Sequence, residues 1–171
     1  MFQTERCLIN TFKKSDYIEV RKLYVNQEVR RFLGGTRHED SIKEVLEEML
    51  NSGDDSFYWV VREKDTENFI GLVSLDPHHD GDNLEISYQI LPNWWGLGYA
   101  TEVVQVIINF ALNELKLSKI VAETQTANKP SCRLLEKVGL QLERKIIRFG
   151  AEQAIYFIKS PYIEPNNFLF N

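Results

Sequence analysis

The sequence predicts a mixed α/β domain, an α+β arrangement on one largely antiparallel sheet, with elements in the order β-α-α-β-β-β-α-β-α-β-β. Three observations lead there. The hydrophobic period switches repeatedly between two residues and about 3.6. Short turn-rich segments, "DTEN" and "DPHHDGDN", separate strand-like stretches in the middle of the chain, as hairpins require. One long amphipathic helical stretch stands between two strand-like ones, which makes a βαβ crossover. The 171 residues are expected to form a single domain, 1–171, large enough to bury a core.

Cys7 to Phe12 reads as a first strand. Asp16 can cap a helix running to about Asn26, with Ile18, Leu23 and Val25 among its apolar positions. Gly34-Gly35 breaks the chain, and a second helix fits Glu39 to Asn51, ended by Gly53. "FYWVVRE" (Phe57 to Glu63) and "FIGLVSLD" (Phe69 to Asp76) are aromatic and β-branched, as strands are. "LEISYQIL" (Leu84 to Leu91) alternates, with Leu84, Ile86, Tyr88 and Ile90 on one face and Glu85, Ser87, Gln89 and Leu91 on the other.

Next come apolar residues at helical steps from Ala100 to Leu115. "KIVAETQT" is a strand, and "KPSCRLLEKV" a short helix with Pro130 in its first turn and Gly139 past its end. Gln141 to Phe149 and Glu152 to Lys159 close the fold as a hairpin.

Hydrophobic residues make up 43% of the chain, charged residues 26%, and the formal charge is −5, so the chain reads as soluble and globular. This balance argues against a nucleic-acid or anionic-membrane binder, which needs a basic face. Cys7 and Cys132 match neither a zinc motif nor a disulfide framework. No run approaches the roughly 18 apolar residues of a membrane span. The N-terminus lacks the pattern of a secretory signal. Together these favour a cytoplasmic protein without membrane association.

The sharpest local signal is "PNWWGLGYATE" at Pro92 to Glu102. Gly96 and Gly98 could simply make a tight strand-to-helix turn. A dinucleotide fingerprint fits poorly: Thr101 stands where a third glycine belongs, and Pro92 to Trp95 separate the strand from the glycines. A Walker A loop lacks its Gly-Lys-Ser/Thr. The third reading is a pyrophosphate cradle for coenzyme A. A helix N-terminus offers unpaired N–H groups and partial positive charge, and glycines let a phosphate come close. Backbone amides then do the binding, so an acidic chain can hold an anionic cofactor.

"YQILPNWWGLGYATEVV" resembles the acetyl-CoA-binding motif of the GNAT acetyltransferases. "TERCLINTFKKSD", "VRRFLGG" and "TANKPSCRLLEKVGLQLE" are similar, at matching spacings, to the RimJ/RimL-like branch, which holds the ribosomal-protein alanine and serine N-acetyltransferases. The resemblance spans Thr4 to about Phe149. It implies the GNAT acyl-CoA N-acyltransferase fold, acetyl-CoA as acyl donor, and a primary amine as acceptor, either a protein N-terminus or a small molecule. It also implies direct attack in a ternary complex, with no metal required. One departure stands at Asn93, where the family's cofactor loop begins with Gln or Arg.

The resemblance implies site residues as well. Trp95, Gly96, Leu97, Gly98, Tyr99, Ala100 and Thr101 would form the cofactor loop, with one of the two tryptophans packed inward and the other covering it. A backbone N–H at Ile90 or Leu91 would stabilise the oxyanion, where the strand splays from its neighbour. Glu85, on the polar strand face with Ser87, is the candidate base; a solvated strand glutamate is the plain alternative. The family's tyrosine acid falls at Leu135 here, so that acid is missing. Ser131 stands near the cofactor sulfur as a hydrogen-bond donor and catalytic candidate. Asn128 would hold the pantetheine arm while also capping a helix. Phe32, Leu33, Trp59 and Ser87 are expected at the acceptor, with core packing the alternative for the hydrophobic three.

Asp76, His78, Asp80 and Asp82 mimic an EF-hand loop, but Ser87 stands where its closing Glu belongs. A polar hairpin turn is the reading taken. A CoA-binding module of this fold without turnover is the competing function, and the oligomeric expectation is monomer or homodimer. The tail "PYIEPNNFLF" would cover the core or a partner subunit.

Overall fold

The computed structural model describes residues 1–161. An eight-stranded sheet runs through it in the order β1-β2-β3-β4-β5-β6-β8-β7. The strands are β1 (Phe2–Gln3), β2 (Cys7–Thr11), β3 (Phe57–Glu63), β4 (Phe69–Pro77), β5 (Leu84–Ile90), β6 (Lys119–Gln125), β7 (Gln141–Arg148) and β8 (Ala151–Lys159). Every neighbouring pair is antiparallel except β5 with β6, which are joined by the helical crossover. The mixed α/β architecture is therefore as the periodicities predict. The two-residue β1 is too short to leave a periodic signal.

The helices are α1 (Tyr17–Tyr24), α2 (Gln27–Arg30), α3 (Glu39–Leu50), α4 (Tyr99–Asn109) and α5 (Lys129–Lys137). The first expected helix is α1, ending at Tyr24, and the short α2 after it was not anticipated. Asn26 is the N-cap of α2, its side-chain oxygen accepting from the N–H groups of Glu28 and Val29. Asp16 does not cap α1 with its side chain. Its carboxylate instead accepts from Lys13 N and from Arg62 on β3. Ile18 is 77% exposed, and Val20, Leu23 and Tyr24 form the buried stripe. Beyond α4 a π-helical turn, Phe110–Glu114, carries the apolar stripe on to the buried Ala111 and Leu112.

The sheet is covered on both faces. On one face Ile86, Ile90 and Val73 pack against Val103, Val104, Ile107 and Ile108 of α4 and Leu135 of α5. On the other, Val60 and Leu72 pack against Val20 and Leu23 of α1 and Ile42 and Leu46 of α3. Each such side chain contributes about 1.5–3 kcal/mol when fully buried. The expectations for the tail beyond Pro161 lie outside the described residues.

Candidate active site

β5 and β6 pair only at Leu84↔Ile120 and Glu85↔Val121, the first rungs of two seven-residue strands. Past Glu85 the strands diverge. Leu91 N–H is taken by Ile70 O of β4 at 2.9 Å, which corrects its expected role as oxyanion donor. Antiparallel hydrogen bonding alternates sides along a strand, so the N–H of Ile90 turns the other way, towards the gap. Ile90 is thus the one of the two candidates whose amide faces the opening.

The loop after β5 is bound down at several points. Trp94 is half-buried and donates its indole N–H to Phe69 O at 3.0 Å. Trp95 is 47% exposed and donates to Ile90 O at 2.7 Å. One tryptophan therefore packs inward and the other lies over the loop. Gly96 and Gly98 have φ of +72° and +84°, the left-handed region, which explains the residue type at both positions. Gly98 is the N-cap of α4. Among the described residues, the N–H groups of Gly96, Leu97, Gly98, Tyr99, Ala100 and Thr101 have no protein partner. Six consecutive unpaired amides at a helix start are donors that an anion could take.

The anchor of this loop escaped the sequence reading. Glu102, in the first turn of α4, accepts from Arg6 N and Arg6 Nε, each at 2.9 Å, and from Thr4 Oγ1. Arg6 Nη1 also donates to Leu97 O at 2.9 Å, and the guanidinium lies over the Tyr99 ring at 4.1 Å. The contact spans more than ninety residues of sequence, so no local pattern announces it.

The opposite side of the gap is α5. Asn128 caps it, its Oδ1 accepting from Ser131 N at 3.4 Å. Ser131 Oγ lies 2.6 Å from Tyr88 Oη of β5. Burial pushes the Tyr88 phenol up to about 12. Leu135 is core, 1% exposed. A tyrosine hydroxyl is thus present here, supplied by the strand and not by the helix.

On the other sheet face, the one packed by α1 and α3, lie the polar side chains of β5. Glu85 is mostly buried, and burial, against relief from a Ser87 hydrogen bond, raises its carboxyl to about 7; the charges of Glu123 and Asp76 add to the rise. Glu85 Oε2 and Gln89 Oε1 are buried and have no hydrogen-bond partner. Burial likewise raises Asp76, which receives a hydrogen bond from Ser74 Oγ at 2.9 Å. Ser87 Oγ donates to Glu85 Oε1 at 3.2 Å.

Phe32 and Leu33 sit on the turn after α2; Phe32 O accepts from Gln125 Nε2 of β6 at 3.1 Å. Trp59 must be corrected. It is 4% exposed and packs with Phe2, Phe57 and Phe110 on the α4 face. Strand alternation puts its neighbour Tyr58, opposite Ser74, on the face that carries Ser87 and Glu85 instead.

"DPHHDGDN" is the β4–β5 turn, closed by His78 N–H to Asn83 O at 2.9 Å. His78 itself is buried, 6% exposed. Its Nε2 is 2.9 Å from Glu123 Oε1 and 3.5 Å from Glu85 Oε2. Donor atoms of His78, Glu85 and Glu123 lie within 4.8 Å of one another, close enough to share an ion. The positive charge brought to this cluster by the chain itself is the Arg148 guanidinium, 3.5 Å from Glu123 Oε1.

Residues 6–141 match the family model described as "Acetyltransferase (GNAT) domain". Among curated proteins, the chain is 28% identical over 151 residues to the uncharacterized N-acetyltransferase YoaA of Bacillus subtilis (strain 168), covering 84% of each. It is 29% identical over 153 residues to the uncharacterized N-acetyltransferase YnaD of the same organism, covering 87% of this chain and 89% of the other. Among solved structures, a GNAT-family acetyltransferase from Bacillus anthracis superposes with a TM-score of 0.80 at 22% identity, over 92% of this chain and 96% of that one. A spermidine N-acetyltransferase from Vibrio cholerae, in complex with CoA and spermine, superposes with a TM-score of 0.78 at 18% identity, over 90% and 95%.

Proposed function

The chain is an enzyme of the GNAT acetyltransferase family, and from that premise we propose that it moves the acetyl group of acetyl-CoA to a primary amine by direct attack in a ternary complex. The diphosphate lies on the free amides of residues 96–101, and the pantetheine arm runs between β5 and β6 towards Ser131, beside Asn128. The observation that carries the reading is the unpartnered, buried Glu85 Oε2. Gln89 Oε1, on the same face of β5, is likewise buried and unpartnered, so two acceptors lie there for donors that an amine would supply.

An α-amine has a pKa near 7.7–8.0 and is mostly protonated at neutral pH. Glu85 takes its proton, directly or through a water, at a pKa suited to the task. The neutral amine attacks the thioester carbonyl, and Ile90 N–H stabilises the oxyanion. The thiolate leaves next to the Ser131 hydroxyl. A thiol pKa of about 8.5 makes it a tolerable leaving group.

The four matching segments support the RimJ/RimL-like branch. A protein N-terminus or a small-molecule amine is the acceptor. The spermine complex of the Vibrio cholerae relative adds polyamines to the small molecules worth trying. Two free cysteines support a cytoplasmic location. We read the whole chain, 1–171, as one domain acting as a monomer or homodimer, without nucleic-acid or membrane partners.

The test is a panel of amines and N-terminal peptides assayed by release of free thiol. At least one acceptor should be turned over, and Glu85→Gln should abolish most of that rate while leaving CoA binding intact. CoA binding without turnover of any acceptor would favour the non-catalytic acyl-CoA module instead.

A further inference from the structure

Three elements converge on one buried point: the β4–β5 turn brings His78, β5 brings Glu85 and β6 brings Glu123. We propose that these three side chains form a binding site for a divalent transition-metal ion of the Zn²⁺ type, and that a bound ion blocks acetyl transfer by occupying Glu85. The binding site stands on geometry alone. The block rests on the reading of Glu85 as the base.

His78 Nε2 lies 2.9 Å from Glu123 Oε1 and 3.5 Å from Glu85 Oε2, and the three donor atoms all lie within 4.8 Å of one another. Bonds of about 2.0–2.1 Å to a tetrahedral Zn²⁺ put neighbouring donor atoms ~3.3 Å apart, so a small swing of one carboxylate closes the set around an ion. The donors are also dry. The side chains of His78 and Glu123 are 4% and 6% exposed. Glu85 Oε2 is buried, faces the ring and has no hydrogen-bond partner. A core histidine needs one acceptor for its Nε2–H, and Glu123 supplies it. The second carboxylate oxygen, left bare, is what points to a ligand, because buried charge is paired or coordinates metal.

The donor set selects the ion. One imidazole and two carboxylates suit Zn²⁺, Mn²⁺ or Co²⁺, whereas Ca²⁺ and Mg²⁺ take larger shells made of oxygen. In the free chain Nε2–H donates to Glu123, and Nδ1 accepts from Asp80 N–H at 3.4 Å. An ion takes the place of the Nε2 proton, and the ring's proton then sits on Nδ1, 3.5 Å from Asp80 Oδ2. A carboxylate behind a metal-bound imidazole is a common outer partner. Asp80 is held there by Arg144 and Arg148, the latter at 2.8 Å.

The ion has a way in and a consequence. His78, Asp80, Asp82 and Asn83 line a surface cavity of about 330 Å³, so solvent reaches the ring past acidic side chains. Arg148, 3.5 Å from Glu123 Oε1, opposes an incoming cation and limits its affinity. Once Oε2 is bound to the ion, Glu85 has no free oxygen there for the acceptor's proton. Transfer then stops until the ion is removed. The amides of residues 96–101 lie outside this cluster, so CoA binding is unchanged.

Binding is tested first, without activity. Calorimetric titration of chelator-treated protein with Zn²⁺ should show one ion per chain. His78→Ala and Glu123→Gln should each weaken it by about tenfold or more. His79→Ala, the neighbouring histidine, should stay within about twofold of the parent, with thermal unfolding checking the fold of all three. In the parent protein, long-range proton–nitrogen NMR should show one equivalent of Zn²⁺ shifting His78 Nε2 and leaving the His38 ring unmoved. No uptake, equal uptake by His78→Ala, or a His78 ring that does not respond would overturn the site, whatever the acceptor panel gives. The block is tested on an acceptor from that panel. The rate is read as acetylated product, because Zn²⁺ also binds free thiol. Zn²⁺ at the level that fills the site should cut the rate at least about tenfold, and chelator should restore it. An ion held at His78 with the rate unchanged would overturn the block and count against Glu85 as base, with the binding site left standing.

Discussion

Tyr88 Oη and Ser131 Oγ lie 2.6 Å apart and join the two sides of the gap between β5 and α5. If the phenol donates to the serine, the serine's own proton is free to point at the departing sulfur. Burial raises the Tyr88 phenol, so it acts as a donor that orients Ser131. Tyr88→Phe should lower kcat by about fivefold, the worth of one hydrogen bond of ~1 kcal/mol. Ser131→Ala should cost at least as much, and the double variant no more than Ser131→Ala alone. Additive losses in steady-state assays would show that the two hydroxyls act separately.

Glu85 predicts a pH limb. Transfer should fall as pH drops through about 7, because the base must be ionised and burial holds its carboxyl there. In Glu85→Gln the remaining rate should lack this limb. A profile of kcat/KM from pH 5 to 9 on both proteins decides it.

The same shift has a sign in stability. The folded-state pKa is raised from 4.5 to about 7. Below about pH 4.5 the carboxyl is protonated in both states and is no burden. Between the two values the unfolded chain ionises first, so stability is lost as pH rises, and the penalty is complete above pH 7. Glu85→Gln should therefore stabilise the protein at pH 8, by at most on the order of 3 kcal/mol, and leave it unchanged at pH 4. Thermal unfolding at the two pH values reads this directly.

Gly96 and Gly98 are separable by what surrounds them. A methyl at Gly96 meets open space, while one at Gly98 comes within 3.3 Å of Arg6 Nη2. Both sit at positive φ, where a side chain costs about 1–2 kcal/mol. Both alanine variants should lose stability, Gly98→Ala by more, and both should bind CoA more weakly in calorimetric titration. Equal CoA affinity in parent and Gly96→Ala would count against the cradle.

Glu102 should matter to the same binding without touching the cofactor. Its carboxylate gathers three donors from Thr4 and Arg6, and Arg6 holds the Leu97 carbonyl. Glu102→Gln should weaken CoA binding several-fold, since a hydrogen bond to a charged group is worth about 1.5–3 kcal/mol. Calorimetry against the parent is the check.

Much of this was legible beforehand. The alternation of β5 put Glu85, Ser87 and Gln89 on one face, where the structure has them, and the glycines marked the start of α4. What misled was local pattern without a partner. Ile18 and Val25 fit a helical stripe, yet both are exposed, and the buried stripe of α1 is Val20, Leu23 and Tyr24. Trp59 was expected at the acceptor, but strand alternation turns it to the α4 face and puts Tyr58 on the other.

The residues alone determined the element types, the left-handed turn before α4 and the polar face that carries Glu85, because each depends on backbone preferences and periodicities a few residues long. Only the tertiary structure decided which groups meet across elements. It brought Arg6 to Glu102, Tyr88 to Ser131, and His78 between Glu85 and Glu123. Those meetings depend on strand order and register, and on β5 and β6 parting after two rungs. Such choices are made by burying two faces of one sheet at once, and no short stretch of sequence records them.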